Sequence, residues 1–117
     1  MEFLIKYDIL EEEIAKIQEV NSKGVIKNII LNQENVMEIL DYLKELGIKT
    51  ESLKDLFVYQ IGIFFKTKKE LIDAFEDYEI DSIIKSLNYD VNTFDLIEFW
   101  YWFFKEMSLK YVISRKE

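Results

Sequence analysis

The sequence predicts an all-α fold, a single helical domain over residues 1–117, built of about six or seven short helices with a long aromatic helix at its C-terminal end. Three observations carry that expectation. There is no proline and there are only three glycines, Gly24, Gly47 and Gly62, too little turn chemistry for a β-sandwich or barrel. Apolar residues recur at i, i+3, i+4 and i+7 through most of the chain. The run Phe99-Trp100-Tyr101-Trp102-Phe103-Phe104 lies inside a segment, Asn92 to Ile113, that reads as helix. At about 100° per residue such a run goes round the whole helix, so the element needs covering on nearly every side.

Taken in order, residues 2–7 form a short apolar piece whose pattern suits either a helix or a strand. Asp8 followed by Glu11 has the form of a capping box. Ile14, Ile17 and Val20 then mark a helix that stops near Asn21-Ser22-Lys23-Gly24. Val25, Ile26, Ile29 and Ile30 place a short helix over 25–31. Asn32 is a suitable N-cap for the next, in which Val36, Ile39, Leu40, Leu43 and Leu46 make one apolar stripe. Glu34, Glu38, Asp41 and Glu45 fall largely away from it, and Gly47 is placed to end that helix in the left-handed conformation.

Thr50 or Ser52 opens a helix carrying Leu53, Leu56, Phe57 and Ile61, and Gly62 is expected to break or bend the backbone. A strand through 57–65 is the main alternative to an all-helical chain. Thr67 with Glu70 is a second capping box, ahead of Leu71, Ile72, Ala74, Phe75 and Tyr78. Asp81 is the expected cap of a helix holding Ile83, Ile84 and Leu87, and Asn92 with Asp95 opens the aromatic helix.

Composition excludes several chemistries. With no histidine and no cysteine, the usual zinc ligands, thiolate nucleophiles and the commonest general base are missing, and no glycine-rich phosphate loop occurs. No catalytic residue, cofactor or metal is expected, and the chain is read as a non-enzyme. A formal charge of −8 opposes attraction to phosphates or anionic lipid and suits a partner with a basic surface. The opening residues lack a basic stretch followed by a long apolar core, and no apolar run approaches the ~18 residues of a membrane span. A cytoplasmic location, with no membrane contact, is the expectation.

Two stretches echo each other. Asn32…Val36…Leu40…Leu43 leads into Leu46-Gly47-Ile48 and then Leu53…Leu56. About 35 residues on, Thr67…Leu71…Phe75…Tyr78 leads into Ile80 and then Ile83, Ile84 and Leu87. Tyr42-Leu43-Lys44-Glu45-Leu46-Gly47-Ile48, followed by Leu53-Lys54-Asp55-Leu56-Phe57, resembles the helical repeats of the mitochondrial transcription termination factor family. The resemblance covers roughly residues 3–90 in two to three degenerate units. It implies stacked helical repeats and nucleic-acid binding. The chain departs from that family in having no proline and in being acidic.

Two features are candidate binding surfaces. Glu70, Asp73, Glu76, Asp77, Glu79 and Asp81 follow one another with no basic residue before Lys85. On a helix Asp73, Glu76 and Asp77 share a face at i, i+3 and i+4. Such a strip suits docking on a basic protein; the alternative is a solvated helix face and a cap. On the aromatic helix, Leu96, Trp100, Phe103, Met107 and Tyr111 have the spacing of a core stripe. Phe99 and Trp102 fall among Asp95, Glu98, Lys105, Glu106 and Lys110. Aromatics on a charged face resemble a binding hot spot or a homodimer contact, unless another helix or the N-terminal segment covers them.

The partner-binding set is therefore Phe99, Trp102, Asp73, Glu76, Asp77, Glu79 and Asp81. The function expected is an acidic protein-interaction module, an inhibitor or regulator docking on the basic surface of a nucleic-acid-handling protein. The alternatives are a nucleic-acid-binding repeat protein using Lys66, Lys68, Lys69, Lys105, Lys110, Arg115 and Lys116, and a structural subunit that self-associates through the aromatic helix.

Overall fold

A computed structural model of the protein describes the backbone of residues 1–116 and the side chains of residues 1–103 and of Glu106. The expectations for Met107 and Tyr111 as core, and for Lys105, Lys110, Arg115 and Lys116 as cations, concern side chains outside that set. Among the described residues the fold is all-α, with no strand. A 3₁₀ segment, Glu2–Tyr7, precedes α1 (Glu11–Val20), α2 (Lys23–Leu31), α3 (Gln33–Leu46) and α4 (Thr50–Tyr59). A second 3₁₀ segment, Ile61–Phe65, leads to α5 (Lys68–Phe75), α6 (Ile80–Tyr89) and α7 (Thr93–Lys116). The region 57–65 is thus helix and 3₁₀ turn, and α4 stops at Tyr59, ahead of Gly62, whose φ stays out of the left-handed region.

The centre is α3 with α4. The stripe Val36, Ile39, Leu40 and Leu43 is fully buried, with Leu46 half-buried behind it. α3 is flanked by α2, α5 and the second 3₁₀ segment, and α4 by α1 and α6. Phe57 from α4 and Phe64 from the 3₁₀ segment lie face to face at the middle, ring centroids 3.9 Å apart and 9° from parallel. Lys54 on α4 reaches Glu13 on α1 and Glu51 on its own helix, each at 2.8 Å. The helix pairs α3–α4 and α5–α6 occupy the two stretches that echo one another in sequence.

Local signals placed some boundaries and misplaced others. Thr67 and Glu70 form the expected capping box: the Thr67 hydroxyl accepts from the Glu70 amide and the Glu70 carboxylate accepts from the Thr67 amide, both at 3.1 Å. Asp8 is no N-cap. It ends the first 3₁₀ segment at φ 63, a left-handed conformation that aspartate tolerates, and α1 begins three residues later. There the Leu10 amide donates to the Glu13 carboxylate at 3.0 Å. Val20, expected on the buried stripe of α1, is exposed. Ser22 caps α2, accepting from the Val25 amide at 3.2 Å. Asn32 lies between α2 and α3, but its side chain donates back to the Asn28 carbonyl instead of capping forward. Asp81 lies inside the first turn of α6, with Glu79 at the N-cap position, where carboxylates meet the positive end of the helix.

Gly47 ends α3 at φ 108, and the following Ile48 amide donates to the Leu43 carbonyl at 3.0 Å, closing a Schellman-type turn. A Cβ there would sit 3.6 Å from Ile84 Cγ2, an ordinary contact, so the cost of Gly47→Ala is the left-handed backbone alone. The expected loss is about 1–2 kcal/mol, read as a lower urea midpoint at unchanged slope.

Tyr7 ties the N-terminal segment to α3. Its hydroxyl donates to the Asp41 carboxylate at 2.8 Å, with the Met37 carbonyl at 3.3 Å, and the ring is buried. Burial first, then the bond to Asp41 and its negative charge, push the phenol from 10.0 up to about 12. The phenolate is therefore favoured in the unfolded chain. This stabilisation is complete below pH 10 and disappears as pH climbs toward 12. Burial pushes up Tyr42 and Tyr78 as well. Tyr7→Phe is expected to remove part of the alkaline loss of stability, about 1 kcal/mol between pH 8 and pH 11, measured by urea unfolding at the two pH values.

Candidate functional site

The phase of α7 is set at its first turns. Phe94 and Ile97 are buried and Tyr101 is half-buried against the core, all on one face three to four residues apart. On the edge of that face Glu98 meets Lys66 at 2.7 Å, fastening α7 beside α5. The stripe expected to be core, Leu96, Trp100 and Phe103, consequently points outward. The physical reason is that a helix apolar on every side offers several stripes of equal merit. The stripe that is buried continues from Val91 through Phe94 and Ile97, a choice that periodicity within the helix does not make.

The outer arc of α7 therefore carries Leu96, Phe99, Trp100, Trp102 and Phe103 together, each between 40% and 61% exposed. Neither the N-terminal segment nor another helix among the described residues covers Phe99 and Trp102. The rings order one another. Phe99 stacks on Phe103 at 6.1 Å, and Trp100 meets both edge-on, at 5.5 and 5.4 Å. Tyr101 and Trp102 meet edge-on at 5.6 Å. Aromatic side chains with two rotatable bonds, already in mutual contact, lose little freedom when a partner covers them.

Carboxylates border this arc on two sides. Asp95, Glu98 and Glu106 line a shallow trough of about 400 Å³ with Phe99, Trp102 and Phe103. On the other side, a groove of about 500 Å³ runs between α7 and the α5–α6 turn, bringing Asp77 and Glu79 to Leu96 and Trp100. Tyr78 also lines it, its phenol pushed up by burial and by the Asp77 charge. Thus two of the acids singled out in the sequence join the aromatic surface. Asp73, Glu76 and Asp81 line neither cavity.

The acidic strip is not one helix face. α5 ends at Phe75, the Glu76 amide donates to the Asp73 carbonyl at 3.3 Å, and the Tyr78 amide to the Phe75 carbonyl at 3.1 Å. Asp73 stands on the last turn of α5, Glu76 and Asp77 in the turn, and Glu79 and Asp81 at the start of α6.

Among the described residues, no three His, Cys, Asp or Glu side chains are arranged to hold a metal ion, and no helix is long and apolar enough to cross a membrane. Two of the lysines offered to a nucleic acid are engaged elsewhere: Lys66 with Glu98, and Lys68 over the Tyr42 ring at 5.7 Å. Comparisons with protein-family models, curated proteins and solved structures gave no match.

Leu96, Trp100 and Phe103 are the surface residues that sequence reasoning assigned to the core. Their only sequence signal was the all-round apolarity of 94–104, which requires a surplus of apolar side chains without saying which ones.

Proposed function

We propose that the protein is a small acidic protein-interaction module. The outer arc of α7 takes the apolar side of a partner, and the carboxylates beside it face that partner's basic residues. The observation that carries this reading is the set of five large apolar side chains on one exposed arc, bordered by Asp77, Glu79, Asp95 and Glu106, with Glu98 at its edge held by Lys66. A contiguous apolar patch with a polar rim is the common form of a protein contact site. The role that fits is regulation or inhibition of a cytoplasmic nucleic-acid-handling protein, whose basic surface complements the chain's charge of −8. The engagement of Lys66 and Lys68 supports a protein partner over a nucleic acid.

Both tryptophans of the chain lie on α7, so intrinsic fluorescence reports on this surface without a label. Titration with a lysine-rich amphipathic helical peptide is expected to shift the emission. The affinity should fall with added salt and fall several-fold further when Asp77, Glu79 and Asp95, which border the arc, are reversed to lysine. Binding indifferent to both salt and charge reversal would remove the acidic residues from the reading. No emission change at any peptide concentration would remove the α7 face.

A further inference from the structure

α2 is anomalous in this chain. The protein has 23 acidic and 15 basic residues, yet Lys23–Leu31 contains two lysines and no acid. It is also a short helix with apolar residues all round, Val25, Ile26, Ile29, Ile30 and Leu31, of which only Ile29 is fully buried. Leu31 is 70% exposed, beside the exposed Ile30. These side chains form a groove of about 450 Å³, its floor Ile26, Ile30 and Leu31, its edge Lys23, Lys27 and Gln18. Lys23 and Lys27 stand at i and i+4, and neither makes an ion pair among the described residues.

The outer arc of α7 is the converse: an aromatic ridge, Phe99, Trp102 and Phe103, edged by Asp95 and Glu106, with Glu98 beside them paired to Lys66. No residue lines both the groove and the trough. α2 is seated on α3, whereas α7 is seated on α5 and α6. An apolar groove with a cationic edge and an apolar ridge with an anionic edge, on separate faces of one chain, complement each other between molecules. We infer that the α2 groove receives the outer face of α7 from a second copy of this chain. The two surfaces differ, so the contact is head-to-tail. Such a pair still presents one groove, on one molecule, and one α7 face, on the other, so assembly continues beyond a dimer. This inference rests on the reading of α7 as a docking face and names a second copy as an occupant.

The test is complementation, followed by analytical ultracentrifugation. The wild-type chain should show a mean mass that rises with concentration past the dimer and falls at high salt. Trp102→Glu lacks the ridge, and the double variant Lys23→Glu/Lys27→Glu lacks the groove. Each alone should be monomeric, with helix content and urea midpoint close to wild type because the altered side chains lie outside the core. Mixed in equal amounts they should form one defined 1:1 dimer, since the ridge of one and the groove of the other remain intact. A wild-type chain monomeric up to about 1 mM, a closed wild-type dimer, or variants that do not complement would each overturn the inference. Peptide-induced fluorescence that survives in such a monomeric wild type, and is weakened by Trp102→Glu, would leave the α7 reading standing. If that response is absent too, both readings fall.

Discussion

Phe57→Ala is expected to destabilise the protein by about 3–5 kcal/mol, lowering the urea midpoint by roughly 2–3 M at a slope near 1.5 kcal/mol/M. Since small domains have only about 5–15 kcal/mol in total, this is a large fraction of the stability. The size follows from how little the site can collapse. Phe57 and Phe64 are fully buried and stacked at 3.9 Å, so deletion of one ring strips the other of its facing contacts. The backbone on both sides is also held from a distance. The Asn21 amide donates to the Phe57 carbonyl at 3.0 Å, and the Asn35 amide to the carbonyls of Phe64 and Lys66 at 3.2 and 2.9 Å. A cavity between two pinned segments stays open. Phe57→Leu keeps most of the volume and should recover part of the loss. A fall below 1 kcal/mol for the alanine variant would mean that the ring pair is not a shared centre of the fold.

Those asparagines also mark where sequence reading stops. Asparagine is recognisable from sequence as a cap or turn residue, and Asn32 and Asn92 were read so. In the fold the informative ones act over long range. Asn21 bonds to the Ile17 carbonyl of its own helix and across to Phe57. Asn88 accepts from the Lys49 amide at 2.8 Å and donates to the Gly47 carbonyl at 3.0 Å, clasping the α3–α4 turn. Asn92 turns its side-chain oxygen to Gln60 Nε2 at 3.0 Å. Such partners are tens of residues distant and leave no local pattern.

What was legible had a local cause. The α3 stripe is a strict helical repeat with charges on the far side, so one face alone could be buried, and Gly47 closes it as expected. The Thr67–Glu70 box needs only residues three apart. Asp8 with Glu11 has the same local form without the bonds, because Asp8 ends the first 3₁₀ segment in a left-handed turn, and Asp81, expected as a simple cap, is displaced by Glu79 ahead of it. For the candidate surface, the exposure of Phe99 and Trp102 was legible from the acids beside them. The outward turn of Leu96, Trp100 and Phe103 was not, because periodicity cannot phase a helix that is apolar on all sides.

Trp102→Glu separates the two contributions to docking, because it changes them in opposite directions. The substitution removes an indole that is 51% exposed and adds a carboxylate facing a basic partner. If charge dominated the contact, the variant would bind the lysine-rich peptide more tightly. If the aromatic ridge dominates, as its central place between Asp95, Glu98 and Glu106 implies, the affinity falls despite the added attraction. A hot-spot aromatic is worth about 2 kcal/mol or more, so a loss of roughly 30-fold is expected. The salt dependence should be retained or slightly steepened, because the new carboxylate adds to the screened charges. Trp100 remains as the fluorescent reporter, and calorimetry gives the affinity independently. Trp102→Phe keeps an aromatic ring on the ridge and should retain most of the binding. Stronger binding by the glutamate variant would instead make the surface an electrostatic one, with the rings as bystanders.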